Sequence, residues 1–270
     1  MITRIFPIGP SRINEAAITL NFDHNLKPYP DKTYIISPYP QHKIDSVFAE
    51  FDLDPSKYIL LDDLYFENYY DLSRYKHNNW YYQQALKLCA FDHFDSDYFL
   101  LQDCDQVPLK QFDFFVDSKL NFKAENLWNP YQELYAEMVE KLTGLTRVLN
   151  YSLVNELMPY SKQDWNELKQ LLEERSQCSW LDAIPNIREL GEPKWFSEFE
   201  LLGIYKTNQP SGWTYYNAVP QPAINTWEDF YAIDWSEQDT VKFLTQPLKY
   251  INLIDALKVL AHLKTPRFDG

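Results

Sequence analysis

The segment that decides the fold is DYFLLQDCDQVP, at residues 97–108. Its apolar run, Tyr98 to Leu101, predicts a buried strand, and Pro108 is a residue that a central strand rarely tolerates. Asp103 and Asp105 follow the strand directly, one residue apart. Ligands of open α/β sheets bind beyond the carboxyl ends of the strands. The segment therefore predicts a functional site where these two carboxylates leave a sheet.

Strand and helix patterns alternate along the chain before this segment, which is typical of a parallel sheet with helices on its faces. The predicted strands are residues 3–9, 33–37 and 58–63, and the predicted helices are residues 11–20, with Ser11 as the cap, 41–51 and 77–94. We therefore expect an α/β fold with a Rossmann-like, mostly parallel central sheet flanked by helices.

The alternation weakens after Pro108. Short strands are predicted at residues 112–116, 120–124, 151–154 and 213–216, and helices at 131–143, from Ser161 onward, at 197–207 and at 254–263. Ser197 and Glu200 have the spacing of a capping box. Because no segment resembles a linker, residues 1–270 are expected to form one domain, with halves at 1–108 and 109–270.

The composition limits the classes of function. Acidic residues number 39 against 25 basic ones, and the net charge of -14 disfavours nonspecific binding to nucleic acid. The chain has 3 cysteines, an odd number at wide spacing, which predicts reduced thiols and no zinc site. The absence of a signal segment or a long apolar run predicts a cytoplasmic protein without a membrane span.

Asp103 and Asp105 would point to the same side of an extended backbone, and Cys104 to the other. Two carboxylates make a hard oxygen site that suits Mn²⁺ or Mg²⁺. A cation held there can bind a diphosphate and offset the charge that develops when the diphosphate leaves. The same spacing also occurs in solvated turns at strand ends. The buried strand before the pair and Pro108 after it favour a functional site.

Two further groups of residues are candidates for binding a nucleotide. Pro7, Gly9 and Arg12 belong to the turn after the first strand, at the sheet edge where ligands gather, although an ordinary turn needs no ligand. Gln83 and Lys87 are four residues apart, so they share one face of the predicted helix. That face can equally be a solvated stripe on a half-buried helix.

Glu198 is the main candidate for a general base. It lies in the first turn of the helix that Ser197 begins, where the helix dipole favours a charged carboxylate. It would take the proton of an acceptor hydroxyl, or it would only stabilise its helix. Glu200 is expected to reach back and cap the same helix. Asp164 is a second candidate base.

Three motifs in order, WYYQQALKL at 80–88, DYFLLQDCD at 97–105 and FSEFELLG at 196–203, resemble those of GT-A-type glycosyltransferases. They are most similar to a bacterial and phage group whose substrates are largely unknown. The resemblance implies a GT-A fold, with residues 1–108 as a nucleotide-binding half and 109–270 as an acceptor-side half. It also implies a nucleoside-diphosphate sugar donor, a UDP-sugar being favoured, and Mn²⁺ or Mg²⁺ on Asp103 and Asp105. Many such enzymes add a late histidine as third metal ligand, and His262 is the histidine available here.

The function implied is transfer of a sugar from the nucleotide to an acceptor hydroxyl of a glycan or small molecule. One alternative is a phage DNA glycosyltransferase, which moves glucose or arabinose onto hydroxymethylcytosine in modified DNA. That alternative requires a basic face, for which the available residues are Lys119, Lys123, Lys141, Arg147, Lys162, Lys169 and Arg175. Another is a protein that binds a nucleotide sugar or glycan without catalysis. Nucleotidyl transfer is disfavoured, because Gly9 is the only glycine near the first strand.

Overall fold

The computed structural model describes residues 1–104, 106–108, 112–124, 130–154, 157–187, 196–217 and 250–252. In chain order the elements are β1 (Ile2–Pro7), α1 (Ile13–Asn21), β2 (Leu26–Lys27), β3 (Lys32–Ser37), α2 (Gln41–Glu50), β4 (Ile59–Asp62), α3 (Asn79–His93), β5 (Tyr98–Gln102), β6 (Gln106–Pro108), β7 (Phe112–Asp113), β8 (Phe115–Val116), β9 (Lys119–Ala124), α4 (Pro130–Thr143), β10 (Leu157–Ser161), α5 (Lys162–Ser176), α6 (Trp180–Asn186), α7 (Glu198–Thr207), β11 (Trp213–Asn217) and β12 (Tyr250–Asn252). Short 3₁₀ helices occur at Asp23–Asn25, Pro55–Lys57 and Tyr65–Asn68.

The central sheet has the strand order β10-β5-β1-β3-β4. Strands β5, β1, β3 and β4 are parallel, and β10 pairs with β5 in the antiparallel direction. Helices cover the sheet, so the predicted α/β class with a mostly parallel central sheet is confirmed. The remaining described strands form small sheets of the orders β11-β9-β8, β12-β6 and β2-β7.

The strand order reverses between β1 and β5. From β1 the chain continues to β3 and β4 on one side, and α3 then returns it to β5 on the other side of β1. The carboxyl ends of β1 and β5, at Pro7 and Gln102, are neighbours at this point. A reversal of this kind leaves a crevice at the carboxyl edge, where ligands of open α/β sheets bind. Asp103 is the first residue after β5.

The two faces of the sheet pack against different helices. Phe6 and Ile8 are buried with residues of α1 and α2, whereas Ile5 and Leu101 belong to the larger core that includes residues of α3 to α7. Strand β5 is buried on both faces, which explains its continuous apolar sequence. The side chain of Asp103 follows the alternation set by Phe99 and Leu101, so it projects toward the α3 and α7 side.

A fully buried arginine links the central strands on the opposite face. Arg4 of β1 donates to both carboxylate oxygens of Asp23, at 2.5 and 2.6 Å, and to Thr33 Oγ1 at 3.1 Å and Gln102 Oε1 at 3.2 Å. A buried guanidinium requires such partners because its unpaired charge would be costly. These contacts hold the end of β5 beside β1.

Most predicted elements are confirmed, including the helix at 131–143, which ends at Gly144 with a φ of +74°. The Ser11 cap is wrong: Ser11 has a φ of +68°, and α1 begins at Ile13 with Arg12 as its N-cap. An N-cap residue normally has extended backbone angles, whereas the amide of Ser11 donates to Tyr39 Oη.

The strand predicted at residues 151–154 is also wrong. The amide of Leu153 donates to the Glu200 carboxylate at 3.0 Å, so it is not available to a strand ladder. The chain forms β10 a few residues later, at the edge of the sheet, where Pro159 is tolerated. The predicted helix at 254–263 lies outside the described residues. No helix within the described part of the chain combines the length and apolar character needed to cross a membrane.

Candidate functional site

Lys87 lies at the centre of a buried cluster of charges. Its Nζ atom is 2.5 Å from Asp103 Oδ1 and 2.5 Å from Glu198 Oε1, and its side chain is 2% exposed. The three residues belong to α3, to the end of β5 and to the start of α7. The cluster therefore joins three elements at the carboxyl edge, beside the reversal of strand order.

The surroundings of Lys87 explain why it needs both partners. Helix α3 is buried along most of its length, including Ala85 to Phe91, so the helix carries the ammonium group into the core. A lysine is almost never buried without a partner. The ring of Phe199 lies 4.5 Å from Nζ and adds a cation–π contact.

The charge state of the cluster follows from these contacts. Burial lowers the pKa of Lys87, but the nearby Asp103 and Glu198 outweigh it, so the pKa of Lys87 is raised and the ammonium stays charged. Burial raises the pKa of Glu198, Lys87 lowers it and Asp103 raises it, with a net upward shift. One cation thus faces two carboxylates, of which Glu198 is buried and Asp103 is partly exposed.

Gln84 is the residue of this site that the sequence interpretation missed. Its Oε1 accepts the amide hydrogen of Glu198 at 3.0 Å, which fixes the orientation of the side-chain amide. Its Nε2 is buried and has no hydrogen-bond partner within the described residues. Gln83 is predicted to share a helix face with Lys87, four residues later, and it is half-buried. A spacing of three, from Gln84 to Lys87, was the available signal.

Asp103 is held by Lys87, and the residue after it is held by helix α1. Its Oδ1 is buried against Lys87, in ion-pair contact although off the axis of a hydrogen bond, while the side chain as a whole is 18% exposed. The exposed surface therefore belongs to the other side-chain atoms. The carbonyl of the next residue, Cys104, accepts a hydrogen bond of 2.7 Å from Thr19 Oγ1.

The donor chemistry at Asp103 fits a hard divalent cation, because an outward carboxylate oxygen is the ligand that Mn²⁺ or Mg²⁺ prefers. The other predicted ligands, Asp105 and His262, lie outside the described residues. Among the residues that are described, no group of three metal-binding side chains occurs. Asp103 is thus the one predicted ligand whose surroundings are defined.

The turn after β1 lies at the same edge as Asp103. Pro7 is the last residue of β1 and is buried. Gly9 is half-buried, and a Cβ atom added to it would lie 3.9 Å from its nearest neighbour, the Cγ atom of Arg12. The side chain of Arg12 is 47% exposed and lies 3.5 Å from Glu15. The structure therefore brings Pro7, Gly9 and Arg12 to the carboxyl edge and leaves the Arg12 guanidinium accessible.

Asp164 lies far from this cluster. It accepts hydrogen bonds from Ser161 Oγ and, at 2.8 Å, from Lys206 Nζ. Ser161 pairs with Tyr98 at the start of β5, roughly 13 Å along the strand from the end that carries Asp103. The two candidate bases are therefore at opposite edges of the sheet.

The side chain of Glu200 does not cap its own helix. Ser197 does cap it, because its Oγ accepts the amide hydrogen of Glu200. The Glu200 carboxylate instead accepts from Arg147 Nε at 2.7 Å, from Ser152 Oγ at 3.2 Å and from the Leu153 amide. Both carboxylate oxygens are therefore engaged by residues outside the helix, so this half of the predicted capping box is wrong.

The fold and the cluster define an α/β protein with a mostly parallel sheet and a charged site at its carboxyl edge. The chain belongs to a family of unknown function (DUF6492), whose model matches residues 22–239. Among solved structures, one described as "Crystal Structure of a Mycobacterial Protein" is similar, with 9% identity and a TM-score of 0.38. The match covers 61% of this chain and 54% of that one, so this chain spans about half the length of the similar structure. No curated protein matches this chain.

Proposed function

We propose that this protein is a GT-A-type glycosyltransferase that moves a sugar from a nucleoside-diphosphate sugar, a UDP-sugar being favoured, to an acceptor hydroxyl. The observation that carries the proposal is the position of Asp103, a carboxylate fixed by the buried Lys87 at the reversal of strand order. Ligands of such sheets bind at this position. The three sequence motifs that resemble those of GT-A-type enzymes support the same reading.

Asp103 supplies the outward oxygen in this proposal. Asp103 and Asp105 would hold a Mn²⁺ or Mg²⁺ ion, whose charge offsets that of the diphosphate. Lys87 binds the inner oxygen of Asp103 and so fixes the rotamer of that carboxylate. The exposed guanidinium of Arg12 is available to a phosphate at the same edge, and the half-buried Gln83 remains a candidate for contacting the nucleotide.

We propose for Glu198 a different role from the general base that its sequence position predicts. It is 1% exposed and its carboxylate contacts Lys87. A general base must come within hydrogen-bonding distance of the acceptor hydroxyl, and a carboxylate in this position would first have to leave its cation. We therefore assign Glu198 as a positioning residue for Lys87.

The acceptor is more consistent with a glycan or small molecule than with modified DNA. Three of the seven residues proposed for a basic face already have partners within the protein: Arg147 with Glu200, Lys162 with three backbone carbonyls and Lys169 with Asp92. The net charge of -14 also repels a polyanion.

The proposal is tested by calorimetric titration of UDP-sugars into the wild type, with Mn²⁺ or with EDTA, and into Asp103→Asn and Asp105→Ala. We expect binding that requires the metal and that is lost in both variants. The matched control is Asp164→Asn, which also alters a buried carboxylate paired with a lysine but lies at the other sheet edge. It should bind as the wild type does.

Product analysis by mass spectrometry, with a panel of acceptors that includes hydroxymethylated DNA, identifies the acceptor. If no nucleotide sugar binds in a metal-dependent way, or if Asp103→Asn binds normally, the transferase proposal is wrong. Binding without transfer to any acceptor would instead support the alternative that this protein binds a nucleotide sugar without catalysis.

A further inference from the structure

Trp80 is an exposed aromatic residue at the outer end of the candidate site. It lies in the first turn of α3 and is 44% exposed. Its indole Nε1 donates to the carbonyl of Phe196 at 3.2 Å, so the orientation of the ring is fixed. Single exposed apolar residues are ordinary on protein surfaces. Trp80 differs from such residues, because its indole is held through its polar atom next to the buried charge cluster.

Trp80, Gln84 and Lys87 form one stripe along α3. Their spacing of four and three residues places them on the same helix face. All three contact the start of α7, through the Phe196 carbonyl, the Glu198 amide and the Glu198 carboxylate. The stripe passes from the surface at Trp80 to a buried amide at Gln84, which is 2% exposed, and then to the buried ammonium.

The side-chain amide of Gln84 offers a hydrogen bond that the described residues do not use. Its Oε1 is committed to the amide of Glu198, so the Nε2 group must point elsewhere. A buried donor without an acceptor costs free energy. Nε2 has no partner within the described residues, and it lies on the stripe between the exposed indole and the charge cluster. An acceptor oxygen from a bound molecule would satisfy it.

We propose that Trp80 and Gln84 form a subsite for a pyranose ring, whose C–H face packs on the indole and one of whose hydroxyl oxygens accepts from Gln84 Nε2. A purely apolar ligand would leave the amide unsatisfied. An anionic group would be repelled by the two carboxylates around Lys87. A neutral ring with one apolar face and hydroxyls at its edge meets both conditions. The inference rests on the proposed function, because it assigns the sugar side of that site.

The sugar ring has two possible sources, the donor or the acceptor, and the experiment separates them. Methyl gluco-, galacto- and mannopyranoside, UDP and UDP-glucose are titrated by calorimetry and by saturation-transfer NMR. The proteins are the wild type, Trp80→Ala, Trp80→Phe, Gln84→Met and a control, Tyr69→Ala. Tyr69 is a comparably exposed aromatic residue, at 56%, in the 3₁₀ region before α3. Thermal unfolding establishes that each variant is folded.

We expect Trp80→Ala to weaken pyranose binding about tenfold and Trp80→Phe to weaken it less, since a phenyl ring keeps part of the packing surface. Gln84→Met should weaken it a few-fold through loss of the donor. Tyr69→Ala should bind as the wild type, and UDP alone should bind equally to all of the proteins. If the variants lose affinity for the methyl glycosides, the subsite holds the acceptor sugar. A loss confined to the extra affinity of UDP-glucose over UDP identifies the donor sugar.

The inference is overturned if the wild type binds no pyranose in either form, if both Trp80 variants bind normally, or if Tyr69→Ala loses as much as Trp80→Ala. These outcomes are distinct from failure of the proposed function. Pyranose binding that depends on Trp80, without binding of any nucleotide, would leave the subsite standing and reject the transferase. Metal-dependent UDP binding without an effect of the Trp80 variants would support the transferase and reject the subsite.

Discussion

Lys87 shows how one residue can determine the properties of a whole site. Its ammonium is buried between Asp103 and Glu198, and each of these carboxylates depends on it for a counter-charge. Removing one member of a buried ion pair is far more costly than replacing the pair with apolar groups. The stability of the protein and the orientation of Asp103 are therefore linked through one side chain.

We expect Lys87→Met to lower the free energy of unfolding by about 3–5 kcal/mol, because it leaves the buried carboxylate of Glu198 and the partly buried one of Asp103 without a cation. Urea denaturation followed by circular dichroism measures the change. The control is Lys206→Met, which removes a lysine paired with the single carboxylate of Asp164 and should cost less. Adding Glu198→Gln to Lys87→Met should restore part of the loss. Unfolding of Lys87→Met at the wild-type urea concentration would contradict this.

The loss of unfolding free energy in Lys87→Met should also depend on pH. Burial already raises the pKa of Glu198, and removal of Lys87 takes away the group that lowers it. A carboxyl group whose pKa is higher in the folded state than in the unfolded state stabilises the fold at low pH, and this stability is lost as the pH rises through the folded pKa. The deficit should therefore grow as the pH rises above the ordinary pKa of a glutamate.

Helix α7 is the element that brings Glu198 to the site, and it is buried on all sides. Its close packing depends on Gly203, where a Cβ atom would lie 2.6 Å from both Cβ and Cδ1 of Leu153. Contacts this short force the neighbouring chain to move. The amide of Leu153 is itself bound by Glu200, so the segment that would have to move is tied to the same helix.

We expect Gly203→Ala to destabilise the protein by about 1–3 kcal/mol, because overpacking outweighs the higher helix propensity of alanine. The matched control is Gly9→Ala, where the nearest atom to the added Cβ is 3.9 Å away, and its stability should be close to that of the wild type. Thermal and urea unfolding provide the measurement. Equal stability of the two variants would show that the segment around Leu153 yields without cost.

The helices and strands also differ in how far local sequence specifies them. The caps at Ser161 and Ser197 were predictable because a side-chain oxygen that binds an amide three residues later is a local interaction. The cap predicted at Ser11 is wrong, because the backbone amide of Ser11 contacts Tyr39, which is distant in sequence. The prediction of a strand at residues 151–154 is wrong, and β10 forms at Leu157–Ser161 instead, because its position depends on pairing with β5.

At the scale of the whole molecule, the cysteines report on the integrity of both cores. All three are free; Cys89 and Cys104 are buried and Cys178 is partly exposed. Cys89 belongs to the core around α3 to α7, and Cys104 to the core around α1 and α2. Burial raises the pKa of the Cys89 thiol, which lowers the fraction of reactive thiolate further.

We expect the folded protein to react with a thiol-specific chromogenic reagent at Cys178 alone, and all 3 cysteines to react once it is unfolded in guanidinium. The Cys178→Ser variant, which should show almost no reaction when folded, identifies the thiol. Rapid modification of Cys104 in that variant would mean that the core next to Asp103 opens readily.

The sequence by itself determined most of the elements and the position of Asp103 at the end of a strand. Strand-helix alternation, the apolar run of β5 and the two serine caps are local patterns, and local patterns reflect hydrogen bonding and burial within a few residues. They also indicated Lys87 and Glu198 as separate candidates.

Only the tertiary structure decided how these candidates combine. Lys87 and Glu198 are separated by 111 residues, and they meet because the strand order reverses at β1 and α7 packs against α3. The same strand order places Asp164 at the opposite edge, and the packing of α7 makes Gln84 part of the site. Contacts between distant residues depend on how whole elements pack together, and local periodicity carries no information about that arrangement.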